Sequence, residues 1–210
     1  FEFLSECFVP ALNAMGYDVE MTLNAYGFYP AGGGCMTAEI EGSELHPISL
    51  RERGAVHSKL ARALVANLPR NIAHREIKVL CKQLGWGRDE VRSEEVPSDG
   101  PGNVMILEVT SQQCTEVFTG FGSKGKRSEQ VAKDAIAEAA AYLDTDVPVG
   151  THLADQLLIP MALAGGGSFC TQALTPHTTT NIELVRQLLG VKITVTPRDW
   201  PDTVQVDISN

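Results

Sequence analysis

The 210-residue chain is 43% apolar and 20% charged, and its 17 basic and 26 acidic side chains leave a net charge of −9. These proportions exclude a disordered chain or a coiled coil, and no apolar run nears the about 18 residues that a membrane span needs. A chain this acidic is no general nucleic-acid coat, and its size fits one or two compact units.

The sequence opens at Phe1, inside what reads as a helix, without initiator Met, signal peptide or transit segment, so a piece of a longer polypeptide is expected. Phe1, Leu4, Phe8, Ala11, Leu12 and Met15 share one helical face, and Gly16 closes it. Tyr17, Val19, Met21 and Leu23 alternate with polar residues as a strand with one wet face. The turn-rich stretch 27–34 leads to a return strand over 35–40, and 48–50 is expected to extend that sheet. A strand over 56–65 is followed by a helix opening near Pro69, whose apolar stripe is Ala73, Ile77, Leu80, Cys81 and Leu84. A buried strand over 104–109 pairs as a hairpin with 114–121. Ser128 is expected to cap a helix with Val131, Ala135, Ala139, Tyr142 and Leu143 on its inner face. After a linker at 146–150 come an apolar helix over 153–164, a strand over 168–174, a helix from Thr180, and strands over 192–196 and 203–208.

Charge divides along the same lines. Residues 54–146 carry 12 basic and 13 acidic side chains, and the flanking residues carry five basic and 13 acidic. A near-neutral middle segment between acidic outer ones points to two units, with 54–146 a complete α+β unit by itself. The five cysteines are odd in number and lack C-x-x-C spacing, which argues for reduced thiols in a cytoplasmic protein, against a disulfide framework and against a zinc site.

Chemistry concentrates in the last unit. Thr180 and Glu183 have capping-box spacing, which places His177 in the loop before a helix N-terminus. Unpaired amides and the positive end of the macrodipole gather there, a setting that suits an anion and keeps an imidazole neutral. Thr178, Thr179 and Thr180 add hydroxyl donors, so attack by His177 on a phosphoryl group is sound chemistry. The residues alone leave open that His177 only closes a loop. In His152, Leu153, Ala154, Asp155 and Gln156, Asp155 suits a metal or a ribose hydroxyl and Gln156 a base edge; the alternative is an acid complementing the helix dipole. The glycines at 27–34 match neither phosphate-binding fingerprint and fit a hairpin loop needing positive φ. For Lys124, Lys126 and Arg127 two readings stay open, a nucleic-acid contact or a solvated mobile loop. Asp89, Glu90, Glu94 and Glu95 read as solvated charge.

Gly27-Phe28-Tyr29-Pro30-Ala31-Gly32-Gly33-Gly34, Gly100-Pro101-Gly102-Asn103, Leu153-Ala154-Asp155-Gln156-Leu157 with Pro160-Met161-Ala162-Leu163-Ala164, and His177-Thr178-Thr179-Thr180-Asn181 follow one another in an order and spacing that resembles the C-terminal two-thirds of an RNA 3′-terminal phosphate cyclase. The resemblance implies an α/β fold of repeated modules, each a four-stranded sheet backed by two helices, with a smaller α+β domain inserted. Residues 1–53 would be the latter part of the second module, 54–146 the insert and 147–210 the third module. It implies a nucleotidyl-transferring, ligase-type enzyme in which a histidine takes AMP from ATP and passes it to an RNA 3′-phosphate, after which the 2′-hydroxyl closes a 2′,3′-cyclic phosphate. The family histidine falls on His177 and the nucleotide-contacting segment on His152, Leu153, Ala154, Asp155 and Gln156. ATP, the RNA 3′-phosphate end and a divalent ion, magnesium or manganese, are the expected ligands, with no membrane partner. The family's N-terminal module and its basic phosphate-gripping residues have no counterpart here, so the chain is expected to be inactive alone. Relatives often carry an aromatic residue where His152 stands. The rivals are a cyclase-like scaffold in ribosomal RNA maturation, against which His177 argues, and an enolpyruvyl-transferase-like enzyme, for which basic residues are too few.

Overall fold

The computed structural model describes residues 1–42 and 44–210 and shows a mixed α/β molecule. Among the described residues the strands form one two-stranded and two four-stranded sheets, and no helix is long and apolar enough to cross a membrane. All five cysteines are free thiols.

The first apolar face forms a π-helical turn, Leu4–Phe8, that runs into α1, Val9–Ala14. Its Cys7, Ala11 and Met15 are buried. Strands β1, Asp18–Ala25, and β2, Cys35–Glu41, then pair antiparallel as a hairpin. The glycine-rich connection between them seats on the middle of the chain. A Cβ at Gly102 would overlap the Phe28 ring, and one at Gly100 would meet Ala31. Only glycine lets the two loops approach this closely, which gives both glycine-rich blocks a packing role.

The short strand β3, Ile48–Leu50, corrects an expectation. It does not extend the β1–β2 sheet; it pairs in parallel with β8, Gly166–Gln172, more than 100 residues later. The glycine triplet explains this. Gly166 and Gly167 begin β8 two residues before the expected strand, with φ of 139° and 150°. A side chain on Gly167 would press on the Ile48 carbonyl. The remaining strands of that sheet are β10, Thr203–Ser209, and β9, Lys192–Pro197, in the order β3-β8-β10-β9. Helices α4, Thr151–Leu163, and α5, Pro176–Leu189, pack on each other. Leu153, Leu157, Leu158 and Met161 of α4 are fully buried, worth about 1.5–3 kcal/mol each.

Between these, β4 (Val56–Ala66), β5 (Val91–Glu95), β6 (Gly102–Ser111) and β7 (Thr115–Phe121) form the second sheet, in the order β5-β4-β6-β7. Helices α2, Asn71–Leu84, and α3, Ser128–Leu143, cover one face. The other face turns Leu64, Val104, Ile106 and Val117 into the core shared with α1 and α4. Glu94 and Glu95, expected only as solvated charge, lie on β5, an edge strand paired in parallel with β4. Ser128 does not cap α3. Arg127 holds the N-cap position, and the Ser128 hydroxyl is buried without a hydrogen-bond partner among the described residues.

Candidate functional site

Helix α4 begins on an unusual support. The Gly150 N–H donates to Oε1 of Glu116 at 2.6 Å, and Glu116 is fully buried on β7. Burial pushes its carboxyl up to about 8, against the opposing pull of the Gly150 N–H and nearby His152. The acid therefore ties the middle sheet to the first turn of α4.

From that turn, helical spacing sends neighbours to opposite sides. His152, Asp155 and Gln156 lie at i, i+3 and i+4 and line an open cleft. Leu153 and Ala154, expected in the same nucleotide-contacting segment, are buried and pack in the core. Asp155 is held on both sides. Asn181 Nδ2 donates to its Oδ1 at 3.3 Å and to its backbone carbonyl at 3.1 Å, and Gln156 Nε2 donates to Oδ2 at 3.3 Å. His152 Nε2 sits 3.3 Å from Glu138 Oε2 on α3, and this hydrogen bond holds the imidazole above its ordinary range. Both side chains are more than half exposed, so the pair contributes about 0–1 kcal/mol.

Helix α5 starts five residues earlier than its T-x-x-E pattern suggests. Thr175 is the N-cap, its Oγ1 accepting from the Thr178 N–H at 3.1 Å, and Pro176 occupies the first turn. Proline preorganises that turn and has no N–H to satisfy, so it outcompetes the later capping box. His177 consequently lies inside the first turn of the helix, exposed at the cleft, and not in a preceding loop. The donor set is also narrower than expected. Thr179 Oγ1 donates to the Thr175 carbonyl and Thr180 Oγ1 to the Pro176 carbonyl, while the Thr178 hydroxyl pairs with Thr175. These back-bonds withdraw all three hydroxyls from the cleft. With Thr178 capped and the Thr179 N–H donated to the Thr175 carbonyl, the His177 N–H is the first-turn amide left without a partner among the described residues.

The cleft measures about 450 Å³. His152, Asp155 and Gln156 come from α4, Thr175 and His177 from the start of α5, and Glu138, Val117, Thr119 and Phe3 close the remaining sides. Four of the six expected site residues thus meet in one cavity. It offers an aromatic nitrogen nucleophile, an unpartnered N–H, a fixed carboxylate, and a second imidazole able to stack on a planar base. Among the described residues no Lys or Arg lines it, and no three His, Cys, Asp or Glu side chains form a metal site. Sequence reasoning missed Asn181, Glu116 and Glu138 as supports. Asn181 sits one turn after His177, which is the only local signal for it; the other two act across tertiary contacts with no local trace.

Comparison with known proteins gives a consistent result. A family model described as RNA 3′-terminal phosphate cyclase matches residues 1–195. The chain is 42% identical over 197 residues to the RNA 3′-terminal phosphate cyclase of Ectopseudomonas mendocina, covering 93% of this chain and 58% of that protein. It is 44% identical over 201 residues to the cyclase of Koribacter versatilis, covering 95% of this chain and 57% of that one. Against the cyclase of Ralstonia nicotianae the identity is 39% over 210 residues, covering 99% and 60%. The chain therefore spans less than two-thirds of the length of these curated relatives.

Proposed function

Because the chain belongs to the RNA 3′-terminal phosphate cyclase family, we propose that its cleft binds ATP and that His177 is the nucleophile of an ATP-dependent cyclisation of RNA 3′-phosphate ends. One observation carries this reading: an exposed imidazole in the first turn of α5 faces the same cavity as His152, Asp155 and Gln156 of α4.

In the first step an imidazole nitrogen of His177 attacks the α-phosphorus of ATP. A P–N bond forms, the α–β P–O bond breaks and pyrophosphate leaves. The His177 N–H is the donor set to meet an α-phosphate oxygen. In the second step an oxygen of the RNA 3′-phosphate attacks the same phosphorus, the P–N bond breaks and His177 is regenerated. In the third the ribose 2′-hydroxyl loses its proton and attacks the activated 3′-phosphorus, releasing AMP and leaving a 2′,3′-cyclic phosphate. His152 stacks on the adenine and Gln156 hydrogen-bonds a base edge. Asp155, fixed by Asn181, is the one carboxylate on the α4 wall able to hold a magnesium or manganese ion, and such ions commonly take one or two protein carboxylates with phosphates and water. When bound, that ion neutralises triphosphate charge.

The cleft's lack of Lys and Arg supports a second part of the proposal, that the 210-residue chain does not complete the reaction by itself. Four of the five basic side chains outside 54–146 are engaged elsewhere. Arg51 pairs with Asp207, Arg53 donates to the Tyr142 carbonyl, Arg186 binds Glu183 and Arg198 binds Asp146. The test uses the longest natural polypeptide carrying this sequence. With α-labelled ATP and magnesium it becomes labelled, the label is acid-labile, and His177→Ala abolishes it. Label retained by that variant contradicts the mechanism. Robust cyclisation by the 210-residue chain alone contradicts the second part.

A further inference from the structure

A larger cavity, about 610 Å³, opens at the far end of β7 from His177. Tyr29, Arg75, Lys124, Lys126, Arg127 and Ser128 are among its walls. It is where this acidic chain gathers positive charge. Arg75 already holds Glu129 and Lys126 holds Asp134, which cancels both acids. Lys124 has no ion-pair partner among the described residues, and the Arg127 side chain is 80% exposed, with a single 3.5 Å contact to the same Glu129. Beside these cations the Tyr29 ring stands 97% exposed. Tyrosine usually contributes to folding by burying its ring, so this ring is free for a partner. Ser128 adds a hydroxyl with no partner among the described residues.

Strand β7 and the residues that follow it run from the cleft to this cavity. Val117 and Thr119 of β7 line the cleft beside His177. Thr119 and Phe121 line an intermediate groove of about 400 Å³, where Phe3, Tyr26 and Phe28 also lie. Thr119 and Phe3 belong to both. Gly122, Ser123 and Lys124, the next residues along, line the basic cavity. From Val117 to Phe121 the strand covers about 13 Å. Along β7 the surfaces thus follow one another as cleft, aromatic groove, then an exposed aromatic beside exposed cations. Aromatic faces for stacking combined with cations for backbone phosphates are the means by which proteins hold single-stranded nucleic acid.

We propose that this track binds the RNA strand on the 5′ side of its reacting 3′ end, with bases against Phe121 and Tyr29 and backbone phosphates at Lys124 and Arg127. The proposal rests on the reading of the cleft as the seat of the RNA 3′-phosphate, and it assigns a substrate-binding role to residues 54–146.

The experiment compares binding of 3′-phosphorylated RNA oligonucleotides of about two and about ten nucleotides to the 210-residue chain by fluorescence anisotropy. A track extending from the cleft makes the longer RNA bind at least about tenfold tighter, within the site sizes known for single-strand binders. Lys124→Ala combined with Arg127→Ala removes most of that gain, and lowers the slope of log affinity against log salt by about 1.4. Tyr29→Ala and Phe121→Ala each reduce it about fivefold or more. All four side chains are exposed, so the variants retain the fold. Equal affinity for both lengths, or a length gain that these variants leave intact, overturns the track. Labelling of His177 is a separate readout. Its absence contradicts the catalytic reading, while a length gain lost in these three variants still upholds the track.

Discussion

At the scale of single residues, Glu116 links the middle sheet to the cleft. It carries a carboxyl pushed up to about 8 by burial, and Glu76, buried beside Asn103, is pushed up to about 7. Both acids are neutral in folded and unfolded chains at low pH. Above about pH 4.5 the unfolded carboxyls ionise first, so stability falls as pH rises and the loss is complete once pH passes about 8. Glu116→Gln keeps an oxygen for the Gly150 N–H and removes the ionisation. Its melting temperature is expected to exceed that of the parent by several degrees at pH 8 and to match it near pH 5. Identical pH profiles would show that Glu116 is ionised in the folded protein. Asn181 acts differently, by fixing Asp155. Asn181→Ala is expected to weaken ATP binding about five- to tenfold, the equivalent of about 1 kcal/mol, with unchanged thermal stability. Unchanged ATP affinity would remove Asp155 from the nucleotide site.

Among the elements, the start of α5 decides where His177 points. Thr175 caps the helix, so Thr175→Ala is expected to cost about 1 kcal/mol in urea unfolding, while Thr180→Ala costs a few tenths. The reverse order would restore the later start that Thr180 and Glu183 suggest. This element shows what a sequence conveys and what it does not. Helical and strand periodicity locates most elements, and the i, i+3, i+4 spacing of His152, Asp155 and Gln156 puts them on one side of α4. Two competing cap signals five residues apart could not be ranked locally; the Thr175-Pro176 pair won because proline's fixed φ suits the first turn. Strand β3 has three residues, too few for any pattern to say which sheet it joins, and Gly167 settles that through a contact with Ile48. Strand β5 is polar because it lies at an edge, so its sequence resembles a loop. Glu116 and Glu138 were invisible as site residues because each reaches α4 from another part of the fold.

For the whole molecule, two cores are joined rather than merely adjacent. Residues 54–146 keep one core under α2 and α3, yet send Leu64, Val104, Ile106 and Val117 into the core of α1, α4 and the β3-β8-β10-β9 sheet. Arg198 adds a two-pronged bond to Asp146 at 2.6 and 2.9 Å, and the Arg53 N–H donates to the Asp146 carbonyl. Such sharing predicts one cooperative unfolding transition. In Trp200→Phe, where buried Trp86 alone reports on residues 54–146, fluorescence and far-UV circular dichroism are expected to give the same urea midpoint. Two separated midpoints would show that the middle unit folds independently of the cleft it supports. The joined cores hold the starts of α4 and α5 around one cavity, and the proposed chemistry there depends on a single imidazole. The most direct measurement therefore maps the site of AMP attachment by peptide mass spectrometry at neutral pH, after incubating the longest natural polypeptide carrying this sequence with ATP and magnesium. The expected result is AMP on the peptide containing His177 and its disappearance after mild acid. AMP on a different residue, or an unmodified His177 peptide in a protein that still cyclises RNA 3′-phosphate ends, would contradict it.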